Sequence, residues 1–167
     1  MIDPAYVRTL ARYNRWQNES AFAAAATLTD AQRRQDRGAF FQSIHATLNH
    51  LWFADAVWMS RFEGAERPEG GFPGADRFGS WDDLRSARDS MDQRIVAWAD
   101  ALDAAALSGD LVWMSGLKNA QASKPKWLAI THFFNHQTHH RGQVHAMLTA
   151  AGARPEPTDL FLMAQAA

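Results

Sequence analysis

Apolar residues return every three to four positions in four long stretches of this chain, and strict alternation with period two is nearly absent. The spacing predicts helices over residues 3–28, 41–63, 80–102 and 125–151. Local chemistry at the ends supports these limits. Asp3 followed by Pro4 is an N-cap and first-turn pair. Ser80 precedes Trp81, Asp82 and Asp83, a cap with acids in the first turn. Gly64 and Gly152 stand where a helix would terminate in a left-handed residue. The connections are long. Residues 64–79 are rich in Gly and Pro and must be a loop. Residues 104–124 contain Leu-Val-Trp-Met-Ser-Gly, which suits a short extended piece or hairpin. The expected fold is all-α, an antiparallel four-helix bundle with long connections, formed by residues 1–167 as a single domain. The tail after Gly152 is expected to be irregular, packed by Leu160 and Phe161.

Composition narrows the function. A length of 167 residues, 47% of them hydrophobic, supports one sizeable core. The net charge is -1, with acids and bases interspersed, so nucleic-acid binding has no electrostatic support. No apolar run approaches the roughly 20 residues that span a bilayer. The N-terminus lacks the pattern of a signal peptide, and a cytoplasmic protein is expected. There is no cysteine, so any metal must rest on nitrogen and oxygen donors.

Seven histidines are present, and four of them, His132, His136, His139 and His140, fall within nine residues. On a helical wheel, His136 and His140 share the apolar stripe of Ala129, Phe133, Val144 and Met147. Histidines at i and i+4 have Cβ atoms about 5–6 Å apart, close enough for both rings to reach one ion. His132 and His140 cannot share one, because eight residues of helix rise about 12 Å. The pairs His132/His136, His136/His139 and His136/His140 stay open by spacing, with His140 nearest the centre of the stripe. A third ligand must come from another helix. His50 shares a face with Ile44, Thr47, Ala54 and Val57, whereas His45 projects elsewhere. Three histidines leave a coordination position open, which is the catalytic pattern. Gln137 stands where the His-Glu-x-x-His motif of zinc proteases has its general base, and an amide cannot abstract a proton.

Helix four, with His-Phe-Phe-Asn-His-Gln-Thr-His-His-Arg-Gly-Gln (residues 132–143), and helix two, with Thr-Leu-Asn-His-Leu-Trp (residues 47–52), resemble the DinB family of DinB/YfiT-like proteins. The opening Ala-Arg-Tyr-Asn-Arg-Trp and the ending with Gly152, Pro155, Asp159 and Leu160 fit the same family. The resemblance spans essentially the whole chain. It implies a helical bundle, a homodimer, and a zinc or nickel ion held by His50, His136 and His140. It also implies thiol-dependent S-transferase chemistry, joining a low-molecular-weight thiol to a small electrophilic substrate. The alternative is a non-catalytic, DNA-damage-inducible stress protein with a structural metal. Many family members have Glu where this chain has Gln137, which weakens any role for a carboxylate base there.

Further residues carry expectations. Gln143 is placed to hydrogen-bond a ligand or to act as a fourth ligand. Asp55 lies about 140° from His50 on the wheel and is expected to pair with Arg141 or His139. Asn14 and Asn18 sit on the apolar face of helix one and need partners. Ile130, Phe134 and Leu148 form a second apolar strip on helix four, which suits a dimer surface or packing within one chain equally well.

Overall fold

The computed structural model describes residues 2–71, 73–116 and 119–164; the last three residues of the expected tail lie outside these. Its elements, in order, are α1 (Pro4–Ala26), α2 (Asp30–Arg34), α3 (Ile44–Glu63), α4 (Trp81–Ala101), β1 (Asp110–Ser115), β2 (Ala120–Pro125) and α5 (Lys126–Ala150), with 3₁₀ turns at Ala105–Leu107 and Leu160–Leu162. The all-α expectation is therefore corrected. The chain is mostly helical, but β1 and β2 form an antiparallel two-stranded sheet with Leu111 opposite Lys124 and Trp113 opposite Ala122. β2 has almost no apolar side chains to betray it, and the strands cohere through backbone bonds and the one buried position, Leu111. Among the described residues, no helix is long and apolar enough to cross a membrane.

The helix ends follow their caps. The Asp3 carboxylate accepts from the Tyr6 N–H at 2.8 Å, and Ser80 caps α4 through the Asp83 N–H. Ser43 accepts from the Ala46 N–H, so α3 begins at Ile44 rather than at Phe41. The short α2 was not expected. Thr29 and Gln32 form its capping box, each satisfying the other's backbone.

The four long helices pack in a square in which α1 and α3 each touch both α4 and α5. Cross-helix pairs fix the directions. Arg12–Asp100 and Asn18–Asp92 make α1 and α4 antiparallel. Trp58–His132 and His50–His140 make α3 and α5 antiparallel. In contrast, Asp55–Arg88 and Glu63–Arg94 make α3 and α4 parallel. The order is up, down, down, up, rather than a simple alternation. The loop over residues 64–80 is long because it must return the length of α3, about 30 Å at 1.5 Å per residue. Residues 102–125 are long because they cross the diagonal from α4 to α5.

The core is split. One apolar cluster joins the end of α1, the start of α3 and the end of α5 around Ala25, Leu48 and Leu148. The other joins the opposite ends around Val7, Met59, Ile95 and Phe133. Ile130, Phe134 and Leu148 belong to these clusters and are buried, so the strip offered as a dimer surface packs within the chain. Between the clusters runs a buried polar belt. Arg88 donates to Asp55 at 2.7 Å and pairs with Asp92 at 2.9 Å. Asn18 donates to Asp92 at 2.8 Å, and Arg141 bonds Asn14. Asp55 is fully buried; its ion-pair partner is Arg88, not the expected Arg141 or His139. The two asparagines of α1 thus bond to neighbouring helices.

Candidate metal centre

The site lies beside the polar belt, where α3 faces α5. His50 comes from α3, and His136 and His140 come from one face of α5. One nitrogen of each ring can be chosen so that all three lie within 4.8 Å of one another. His50 Nε2 and His136 Nε2 are 3.3 Å apart. Two donors on a tetrahedral ion with bonds of 2.0–2.1 Å would be separated by about 3.3 Å, so this spacing already matches. Among the described residues, the cluster contains no carboxylate. The structure does not bring in the other histidines. His45 is buried with its Nε2 on the Phe78 carbonyl. His139 accepts from the Gln143 amide, and His132 packs against Trp58 one turn away.

The rings are aimed by their outer nitrogens. His50 Nδ1–H donates to the Pro73 carbonyl at 2.6 Å, leaving the Nε2 lone pair to face His136. His140 Nδ1–H donates to Gln143 Oε1 at 2.8 Å, one turn further along α5. Bonds of this kind set the tautomer and ring orientation of metal-binding histidines. Gln143 is therefore a positioning group rather than a fourth ligand. The Gln143 bond is the ligand contact expected from its place one turn beyond His140, whereas the Pro73 acceptor is not obvious in the sequence. Pro73 is 23 residues from His50, and its carbonyl arrives because the loop over residues 64–80 runs back along α3. Gly74 helps hold the loop there. Its φ is +67°, and a Cβ would run into the Phe53 ring.

The environment keeps the rings neutral. Burial, only partly opposed by the Pro73 bond, depresses His50 to about 4. Burial and the neighbouring imidazoles depress His136 to about 3. Burial also lowers His140, against the pull of Gln143. At neutral pH all three offer lone pairs without first losing a proton, as a metal site requires. Phe41 closes one side, stacked on His50 at 4.0 Å between ring centroids.

The other side opens into a cavity of about 470 Å³, within the usual range for small-molecule sites. His50 and His136 form its inner end, Ala54, Val57 and Trp58 one wall, and Trp113 and Gly116 of the hairpin another. The hairpin that corrects the all-α fold class thus builds part of the binding site. Sequence reasoning also missed Arg61 and Arg67, which line the same cavity. Position 61 does lie on the wheel beside Val57 and Trp58, a signal that was there to be found.

The family model described as DinB family matches residues 1–167. The protein named Protein DinB from Bacillus subtilis (strain 168) is 25% identical over 162 residues, covering 92% of this chain and 90% of that protein.

Proposed function

Because the chain belongs to the DinB family, we propose that it is a metal-dependent enzyme that joins a low-molecular-weight thiol to a small electrophile. The observation that carries this reading is the convergence of His50, His136 and His140, all kept neutral, with His50 and His136 at the inner end of a ligand-sized cavity. A divalent ion held there, zinc or nickel among the metals that imidazole suits, would supply Lewis acidity that lowers the pKa of a thiol or water.

The chain's own residues do the rest. Pro73 and Gln143 hold two rings in the correct tautomer. Phe41 shields one side from water. The cavity walls bring the electrophile alongside. The sulfur then bonds to the electrophilic carbon, the leaving group departs with the bonding pair, and the thiol proton passes to solvent. The alternative, a purely structural metal, would call for a fourth protein ligand, and the carbonyl of Gln143 is engaged with His140. The reading places the protein in the cytoplasm, where small thiols stay reduced, and extends to a homodimer through a face other than the buried strip.

Cobalt-loaded protein tests it. Adding 2-mercaptoethanol should produce a sulfur-to-cobalt charge-transfer band that is lost in His136→Ala. Cobalt-loaded protein whose spectrum does not respond to any small thiol would contradict the thiol reading.

A further inference from the structure

The mouth of the cavity carries two arginines, Arg61 and Arg67, that pair with no carboxylate among the described residues. Arg61, on α3, lies with its guanidinium 4.4 Å from the Trp58 ring centroid and 5.3 Å from that of Trp113. The two indoles meet edge to face at 5.6 Å, so the guanidinium is stacked and held in place. Arg67 comes from the loop over residues 64–80. It lies so close to Gly116 that a Cβ there would sit 3.3 Å from its Nη1. Among the described residues, six arginines form ion pairs with carboxylates; Arg61 and Arg67 are among those that form none, and they are the two that face the cavity. No carboxylate is among the described residues that line the cavity.

Two cations facing one half-buried cavity repel each other. Burial, then the charge of Arg67, holds Arg61 down to about 10. Nothing in the overall charge of -1 explains such a local excess. An anion between the two guanidiniums would relieve the repulsion and satisfy their N–H groups in the geometry arginine provides for carboxylate and phosphate. We propose that this outer subsite binds the carboxylate or phosphate of a small, partly aromatic substrate, with Trp58 and Trp113 covering its apolar body. The inference rests on the proposed function for the role of the inner end, where the three histidines would act on the same molecule.

Calorimetry on metal-free protein with benzoate, phenylphosphate and benzyl alcohol tests the subsite without relying on activity. The two anions should bind at least about tenfold more tightly than the alcohol, and less so as salt is raised. Arg67→Gln, at an exposed loop position, should weaken anion binding about tenfold, the scale of one charged hydrogen bond, while changing alcohol binding less than twofold. Arg61→Gln should do the same, with partial rescue by Arg61→Lys. If Arg61→Gln fails to fold, the Arg67→Gln result decides. Equal binding of anions and alcohol, no anion binding, or an Arg67→Gln protein indistinguishable from the parent would overturn the inference. Zinc content measured on the same preparations separates the two claims. Protein that takes up zinc but ignores charge loses only the anion subsite. Protein that prefers the anions but takes up no zinc loses only the metal reading.

Discussion

Replacing Arg88 by Met removes the centre of the buried belt while keeping similar length. Arg88 is 2% exposed and is the shared partner of Asp55 and Asp92. Without it, Asp92 retains the Asn18 bond. Asp55, whose Oδ1 already has no hydrogen-bond partner, is left without its cation. Breaking a buried pair from one side costs about 3–5 kcal/mol, a large share of the 5–15 kcal/mol that typically holds a domain together. The deficit should depend on pH in a definite sense. A buried carboxylate deprived of its cation has its pKa raised in the folded state, so the fold favours the protonated form. Its stability is lost as pH rises and recovered as pH falls. Each carboxylate that protonates in the variant but not in the parent recovers about 1.4 kcal/mol per pH unit. Because burial already pushes Asp55 up to about 7 in the parent, the two proteins differ in protonation above that value. Urea unfolding of metal-free protein at pH 9 and pH 7 reads both quantities. The expected result is a loss of about 3–5 kcal/mol at pH 9 that shrinks at pH 7. A loss below about 1 kcal/mol at pH 9, or one that does not change with pH, would refute this account of the belt. Because the belt sets α3 against α4 and α5 against α1, the variant should also bind zinc more weakly.

Gln143→Leu removes the acceptor of His140 Nδ1–H and should lower zinc affinity about 10–100-fold, measured by chelator competition, with little change in unfolding free energy. Gly74→Ala should pull Pro73 away from His50, because the added methyl meets Phe53 and residue 74 has φ +67°; a drop in zinc affinity of similar size is expected from the same assay. His136, held at about 3 in the fold against an ordinary 6.5, binds fewer protons folded than unfolded, so metal-free protein should lose stability as pH falls from about 6.5. Its share is roughly 2 kcal/mol at pH 5. Asp55, pushed up to about 7 by burial, works in the opposite sense, so the difference between wild type and His136→Gln across pH 7 to 5 isolates the histidine.

Much of the helical framework was legible because its signals are local. Asp3-Pro4, Ser80 and Gly152 each act within one turn, and the observed ends lie within a few residues of those predicted. His136 and His140 could be placed on one face because helical spacing is rigid. His50 could be set apart from His45 because only its face was apolar. What sequence could not supply was long-range. The Pro73 carbonyl reaches His50 only because α3 and α4 run parallel, which no pattern within either helix reveals. The run Leu-Val-Trp-Met-Ser-Gly suggests an extended piece or hairpin, but β2 is mostly polar and leaves little alternation, so the pairing and its contribution to the fold class were not legible. Asp55 was assigned the wrong cation because the wheel gives a direction but not a neighbour. Yet Arg88 and Asp92 fall on the stripe of Leu84, Met91 and Ile95, an apolar face where two opposite charges four residues apart mark a buried pair.

The central claim is that His50, His136 and His140 together hold one divalent ion. Elemental analysis of protein expressed with zinc and nickel supplied, then dialysed, tests it most directly, alongside alanine replacements at each of the three and at His45 and His139. The account predicts close to one ion per chain in the wild type and in His139→Ala, loss of most of it in His50→Ala, His136→Ala and His140→Ala, and retention in any folded His45→Ala protein. Wild-type protein without stoichiometric metal, or tight binding that survives loss of any of the three, would contradict it.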